Sequence, residues 1–395
     1  MGFHKGLLAL AMGGFGIGLT EFVMMGILPE VASDLHITIP QAGHFISAYA
    51  LGVVIGAPLL VMIAGSFPPK KLLITLMICF TVFNSLTIMA PNYGFMMASR
   101  LLSGLPHGAF FGVGAVVASR LARENKAASA VSIMFAGLTF ANIFGIPAGT
   151  YLGQNISWRY TFALVAFVGV LAILSLIFLM PALPKKNGGS SVKDELRVFT
   201  RKEPWLILAV TAIGTGGFFA WYSYITPLLT EVGGFSKNNV LFILMFAGVG
   251  MTVGNIAGGK MADAVSPSKA TAILLTLIAV SLLTISQVAE NQWALLTMTF
   301  ITGALAFSIS SPIQMLMIRA ASGSEMLASS VNQAGFNIGN AIGAFLGGLP
   351  IAAGYGFTSP EWVGAGLALS GALVTLMVLR HQRNLKRNPS AAFNS

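Results

Sequence analysis

Only 9% of the 395 residues are charged, 55% are hydrophobic and the mean hydropathy is +0.82. A soluble domain of this length carries roughly a quarter charged residues, so a water-soluble globular fold is excluded at the outset. The single cysteine, Cys79, excludes a disulfide framework and a cysteine-based metal cluster.

Twelve apolar runs follow one another, near residues 6–28, 42–64, 71–90, 93–118, 127–152, 158–182, 204–230, 238–262, 269–288, 292–318, 328–353 and 360–380. At 1.5 Å per helical residue, a run of about 20 crosses ~30 Å of hydrocarbon. The runs are continuous Leu/Ile/Ala/Gly stretches rather than alternations, which predicts helices and not a β-barrel. The first run is too long for a signal peptide and has no small-residue cleavage site, so it is expected to be retained as a helix. The expected fold is an all-α membrane protein of twelve transmembrane helices in two six-helix bundles with pseudo-twofold symmetry.

In chain order, run one contains "GLTEFVMMGILPEVASDL" (Gly18 to Leu35), with an acid, Glu21, well inside it. Run four contains "SRLLSGLPHGAFFGVGA" (Ser99 to Ala115), which places Arg100 and His107 in the membrane. Run five contains "GLTFANIFGIPAG" (Gly137 to Gly149), and "SWRYTF" (Ser157 to Phe162) opens run six. The longest polar interruption, Pro184 to Pro204, falls at the midpoint; its Gly-Gly-Ser-Ser is linker composition, and "VKDELRVFTRK" suggests a short amphipathic helix. The expected domains are therefore residues 1–183, a cytoplasmic linker over 184–203, and residues 204–395 ending in a basic cytoplasmic tail. Run seven holds the aromatic segment "GTGGFFAWYSYITP" (Gly214 to Pro227), and runs ten and eleven carry Gln314, Asn332, Gln333, Asn337 and Asn340.

The net charge of +10 invites a nucleic-acid reading until its placement is considered. Alternate loops, beginning with the amino terminus, hold 19 basic residues, from Lys5 through Lys70, Arg120, Lys185, Lys260 and Arg319 to Arg387; the opposite loops hold only Arg159 and Lys237, together with Glu30, Asp34, Glu231, Glu290 and Glu361. The positive-inside rule then puts both termini in the cytoplasm. The basic excess records topology and contact with an anionic cytoplasmic leaflet; no nucleic-acid partner is expected.

The halves repeat at an offset of 198 residues. "VMIAGSFPPKK" (Val61 to Lys71) aligns with "GKMADAVSPSK" (Gly259 to Lys269), so that Asp263 stands where the first copy has Gly65. Gly16, Gly52, Gly56, Gly137, Asn142 and Gly145 meet Gly214, Gly250, Gly254, Gly335, Asn340 and Gly343. Glycines are where helices approach closely, so the match predicts one packing plan used twice. Two six-helix repeats around a midplane cavity are a transporter architecture.

On these pieces the chain resembles the major facilitator superfamily over essentially its whole length, and within it the bacterial drug:proton antiporters and the arabinose-induced (AraJ-like) efflux permeases. The stretches that carry the resemblance are Gly18 to Leu35, Gly56 to Lys71, Ser99 to Ala115, and Gly137 to Gly149 with Ser157 to Phe162. The resemblance implies proton coupling at Arg100 and an efflux motif formed by Gly145, Pro147 and Gly149 in helix five. The family's loop 2–3 signature has Asp followed by Arg, where this chain has Gly65 and Ser66. Asp263 in the second copy is expected to serve, with Lys269, as a conformational gate near the start of helix five; the alternative is a solvated loop charge.

Glu21, Arg100 and His107 are expected to form a proton-coupling line. Glu21 lies eight residues from Pro29 and Arg100 seven from the start of its run, so both sit roughly 10–12 Å below the outer membrane edge. His107 follows Arg100 by two helical turns on the same face. If the Glu21–Arg100 distance changes between states, Glu21 gains and loses a proton, and His107 relays it or binds substrate. The alternatives are a static ion pair and a packing histidine.

The second half has no comparable acid or base within its runs. Phe218, Trp221, Tyr222 and Tyr224, with Asn142, Gln314, Asn332, Gln333 and Asn337, are the candidate substrate contacts; an interfacial aromatic belt is the other reading of run seven. "GNIAGGKM" (Gly254 to Met261) has phosphate-loop spacing, but Met261 replaces the needed Ser or Thr and no strand precedes it. With no metal-ligand cluster and no cofactor motif, an enzyme is not expected. The function expected is proton-coupled export of small neutral or lipophilic molecules by a monomer in a bacterial inner membrane. A uniporter, a symporter or a non-transporting receptor is the alternative.

Overall fold

The computed structural model describes residues 4–37, 39–64, 67–183 and 196–387. Among these the chain is helical, with no strand. The membrane-length helices are α1 (Lys5–Gly26), α2 (Ile39–Ala64), α3 (Pro69–Ile88), α4 (Tyr93–Leu121), α5 (Ala127–Asn155) and α6 (Trp158–Leu179). They continue as α7 (Lys202–Tyr222), α8 (Lys237–Ala264), α9 (Pro267–Val288), α10 (Gln292–Ala320), α11 (Glu325–Ala352) and α12 (Ser359–Arg387). Eleven of the described helices are both long and apolar enough to span a bilayer. The exception among the twelve is α11. Its 28 residues supply the length, but Asn332, Gln333, Asn337 and Asn340 dilute its apolar character.

Several expected boundaries shift, each for a local reason. The first run divides at Ile27, where α1 gives way to a short helix, Leu28–Asp34, with Pro29 in its first turn. Run seven is not one helix: it breaks after Tyr222, resumes over Ile225–Pro227 and closes as a π-turn over Leu228–Val232. Glycines before the aromatics and Pro227 after them weaken the regular ladder there. The expected amphipathic helix in the linker falls partly outside the described residues; from Leu196, itself helical, the described part runs through a 3-10 turn, Arg197–Thr200, into α7.

Two compact units emerge, Met1–Glu195 with Met326–Ala334, and Leu196–Glu325 with Gly335–Ser395. Inside each, the repeated glycines do the same job. In the first unit Gly52 of α2 lies on the Leu101 carbonyl of α4, and Gly104 of α4 lies on the Tyr49 carbonyl of α2. In the second, Gly250, Gly254 and Gly258 of α8 lie on the carbonyls of Phe300, Ala304 and Ser308 in α10. Gly137 of α5 rests on Ala11 of α1, and Gly339 and Gly343 of α11 rest on Ala212 and Gly216 of α7. With no hydrophobic drive between helices in lipid, such close backbone approach is what gives dispersion contacts their strength. The helix starts repeat as well. Asn92 and Asn291 side chains accept from Phe95 and Ala294 amides to cap α4 and α10, and Pro69 and Pro267 open α3 and α9.

A methyl group on Gly254 would run into the α10 backbone at Ala304, whereas Gly366 of α12 has open space around its Cα. Gly254→Ala is therefore expected to destabilise the protein by ~1–3 kcal/mol through overpacking, and Gly366→Ala to leave it unchanged. Thermal unfolding of the two variants in the same detergent checks the contrast.

Past the end of α1, Asp34 is clamped by the opening of α6. Arg159 Nη1 donates to Asp34 Oδ2 at 2.6 Å and Trp158 Nε1 donates to the same oxygen at 3.0 Å, while Arg159 Nη2 reaches the Ala90 carbonyl at 3.1 Å. The guanidinium also lies 4.3 Å from the Trp158 ring centre. Hydrogen bonding from Arg159 holds the Asp34 carboxyl below its ordinary range. A depressed folded pKa contributes stability that is present above the unfolded value, about 3.9, and is lost as pH falls through the folded one. The pair is partly exposed, so Asp34→Asn is expected to cost less than ~1 kcal/mol at pH 7. The gap between variant and wild type is expected to close below about pH 4, which unfolding curves across pH would follow.

Candidate functional site

Arg100 sits in the middle of the first unit and is completely buried. A guanidinium in such a place needs acceptors and aromatic faces. Nη1 donates to Thr20 Oγ1 at 3.0 Å and Nη2 to the Thr20 carbonyl at 3.2 Å. Thr20 Oγ1 in turn donates to Asn84 Oδ1 at 2.6 Å, and Asn84 Nδ2 donates to the Phe80 carbonyl at 2.8 Å. The guanidinium carbon lies 4.4 Å from the Tyr49 ring centre and 5.6 Å from that of Phe162. Four helices, α1, α2, α3 and α4, thus converge on one cation, with the Phe162 ring of α6 over it.

Tyr49 continues the array. Its hydroxyl shares a 3.1 Å hydrogen bond with His107 Nδ1, and the His107 ring packs 5.3 Å from Phe111. The expected line of Glu21, Arg100 and His107 is present in altered form. Arg100 binds the residue next to Glu21, not Glu21 itself. Glu21 is half-buried and close enough to feel the charge of Arg100 and to act on Tyr49, but it makes no ion-pair contact with Arg100. Arg100 Nε is buried with no partner among the described residues. Glu21 is therefore a carboxyl group that shares the Arg100 environment without an ion-pair contact to it.

Thr20, Tyr49 and Asn84 were absent from the sequence-based candidates. Tyr49 had a signal of its own, since a tyrosine in the middle of an apolar run needs a partner for its hydroxyl. Thr20 and Asn84 had none, because hydroxyl and amide side chains are common in membrane helices.

Gly145, Pro147 and Gly149 lie on α5, which packs against α1. Residues Ala141–Gly145 form a π-turn, closed by the Ile146 amide on the Ala141 carbonyl. Pro147 has no N–H to give, so the ladder is already broken at this point. Gly145 faces Phe15 and Leu19 of α1, and Gly149 faces Val23; the Gly149 carbonyl accepts from Thr161 Oγ1 at 2.7 Å. Asn142 belongs to the same π-turn, buried, with its amide on the Leu138 carbonyl at 3.1 Å.

In the second unit the aromatics of α7 form an inward cluster. Trp221 is completely buried, which does not fit the alternative reading of run seven as an interfacial belt. Phe218 stacks on Tyr222 at 5.0 Å between ring centres and meets Trp221 at 5.9 Å and Phe307 of α10 at 5.7 Å. Trp221 Nε1 finds no acceptor among the described residues. Tyr224 stands apart, its hydroxyl donating to the Ala344 carbonyl of α11 at 2.8 Å, where it ties the segment that follows α7 to that helix. Gln314 and Asn337 of this unit are buried, as are Asn332 and Gln333, which belong to the first unit. Asp263 is half-buried at the end of α8, and Lys269 is exposed in the first turn of α9, whose start is capped by Ser266 Oγ on the Lys269 amide at 3.3 Å. The second half does contain a buried acid. Glu361, expected in a loop, is 1% exposed in the first turn of α12, with Oε2 unpartnered among the described residues.

A membrane-spanning helical protein with a repeated packing plan, a buried cation in one unit and an aromatic cluster in the other has the organisation of a transporter. The Major Facilitator Superfamily profile matches residues 10–327, and the chain belongs to that family of transporters, which is not in general a family of enzymes. Within it the chain falls in the AraJ-like subgroup. It is 43% identical over 378 residues to the inner membrane transport protein YdhP of Escherichia coli K12 (95% of this chain, 96% of that one). It is 37% identical over 379 residues to AraJ of the same strain, covering 96% of each. A chloramphenicol resistance protein of Streptomyces lividans is 28% identical over 379 residues, covering 95% of this chain and 96% of its own. The crystal structure of the Escherichia coli fucose:proton symporter FucP shares the fold, with a TM-score of 0.76 at 16% identity over 94% of this chain and 98% of that one.

Proposed function

We propose that this transporter couples proton movement to the export of small neutral or lipophilic molecules, drugs or sugars, by alternating access in a bacterial inner membrane. The observation that carries the reading is the buried array around Arg100, with Glu21 beside it and making no ion-pair contact. Burying an ionisable pair inside a membrane is costly and is expected where a proton pathway needs it. In this reading Glu21 takes a proton from one side and releases it to the other, and Tyr49 and His107 hold the Arg100 face of the pathway. Export rather than uptake is supported by the Gly145, Pro147 and Gly149 motif and by the resemblance to a chloramphenicol resistance protein.

Substrate contact is assigned to Phe218, Trp221 and Tyr222, together with Asn142, Gln314, Asn332, Gln333 and Asn337. Flat aromatic faces with few charges suit uncharged ligands, and the unpartnered Trp221 Nε1 offers them a hydrogen bond. Tyr224 is assigned to holding the segment that follows α7 against α11. Asp263 and Lys269 are assigned to the gate, with Gly145, Pro147 and Gly149 as the deformable element. The basic distribution supports two cytoplasmic termini, and a monomer suffices for the mechanism.

Proteoliposomes with an imposed pH gradient test the reading. Added chloramphenicol, or another neutral lipophilic compound or sugar from a panel, is expected to dissipate the gradient and to move against the proton flow. Uptake in the same direction as protons would make the protein a symporter. Flux indifferent to the gradient would make it a uniporter, and binding without flux a receptor.

A further inference from the structure

At the end of the second unit where α9 begins and α12 ends lies a cavity of about 600 Å³, distinct from the assigned substrate contacts. Three cations line it, Lys269, Arg319 and Arg383, from α9, α10 and α12, and no carboxylate does. Ser266, Ser268 and Gln382 supply its uncharged polar lining. Ser268 Oγ donates to Gln382 Oε1 at 2.8 Å, and Gln382 Nε2 donates to Glu203 Oε1 at 2.7 Å, so the Glu203 carboxyl is engaged by the amide. The start of α9, with Pro267 in its first turn, adds the positive end of a helix to the same wall.

Three cations around one cavity repel one another unless an anion sits among them, and arginine forks match phosphate oxygens. The surface below the cavity says which kind of anion. From Lys269 the same face of α9 descends through Ile273, Leu277 and Val280, at steps of four, four and three residues, all exposed. On α12, Leu376 and Leu373 lie seven and ten residues before Arg383 and are likewise exposed. A cationic pocket at the head of two exposed apolar stripes has the form of an anionic phospholipid, with a phosphodiester above and acyl chains below.

We propose that this cavity is a binding site for the phosphodiester headgroup of an anionic phospholipid. Its occupant neutralises Lys269, Arg319 and Arg383 and joins α9, α10 and α12 at their ends. Lys269 thereby has a partner of its own, independent of any role in the gate.

Native mass spectrometry of the protein released from detergent micelles, with phosphatidylglycerol titrated in, tests the proposal. Wild type is expected to retain bound phosphatidylglycerol but not phosphatidylcholine. The triple variant Lys269→Gln, Arg319→Gln, Arg383→Gln is expected to lose at least ten-fold in retention. A control that removes three charges elsewhere, Lys5→Gln, Lys71→Gln and Lys260→Gln, is expected to bind as wild type, and all three proteins are compared as single peaks in gel filtration. Inorganic phosphate is expected not to displace the lipid at equal concentration, because it lacks the acyl chains. Equal retention in the triple variant, equal loss in the control, equal binding of phosphatidylcholine, or displacement by phosphate alone would overturn the proposal.

Discussion

Glu21→Gln is expected to abolish transport driven by a pH gradient, to the level of protein-free liposomes, while substrate exchange across the same membrane continues. The amide keeps the volume and the half-buried position of the side chain but cannot carry a proton. Because Glu21 makes no ion-pair contact with Arg100, its neutralisation leaves the two Thr20 hydrogen bonds and the Tyr49 face intact. The fold is therefore expected to survive, and the variant to migrate as wild type in gel filtration. A static ion pair would behave differently: loss of the charge would destabilise the protein and impair exchange and driven transport together. The comparison of the two transport modes in one preparation separates coupling from packing.

Arg100→Lys is expected to damage both stability and transport. A lysine keeps the charge but is a point donor without a planar fork. It cannot donate at once to Thr20 Oγ1 and to the Thr20 carbonyl while lying flat on Tyr49. One charge-assisted hydrogen bond and one desolvated cation–π contact are lost, together about 2–4 kcal/mol. The consequences spread, because Thr20 also donates to Asn84, so that α1, α3 and α4 lose their common tie. A lowered unfolding temperature in detergent, with exchange transport reduced as well as driven transport, is the expected result. Preserved stability and preserved exchange would mean that the Thr20 contacts do not hold the site.

The fold was legible because membrane helices announce themselves by length and composition. The repeat was legible because glycine at a helix crossing has no substitute: Gly52, Gly104, Gly250 and Gly254 each press on a backbone carbonyl of the neighbouring helix. What stayed hidden was local backbone geometry. Nothing in the composition of "ANIFG" marks a π-turn. The break after Tyr222 was foreseeable in kind from Pro227 but not in place.

The candidate site divides in the same way. Glu21, Arg100 and His107 stood out because an ionisable group in an apolar run is expensive. Their connectivity was not readable, since helical spacing relates residues on one helix and says little about which neighbour faces them. Tyr49, one helix away, joins Arg100 to His107 through a ring face and a hydroxyl. Glu361 was misplaced for a related reason. An acid in a first helical turn reads as a solvated loop residue, yet packing leaves it 1% exposed.

The most direct measurement is proton release on substrate binding, followed with a pH-sensitive dye in weakly buffered detergent solution. For the wild type, binding is expected to release protons into solution, and for Glu21→Gln, with substrate bound at saturation, none. Equal proton release from the two proteins would contradict the assignment of the coupling proton to Glu21.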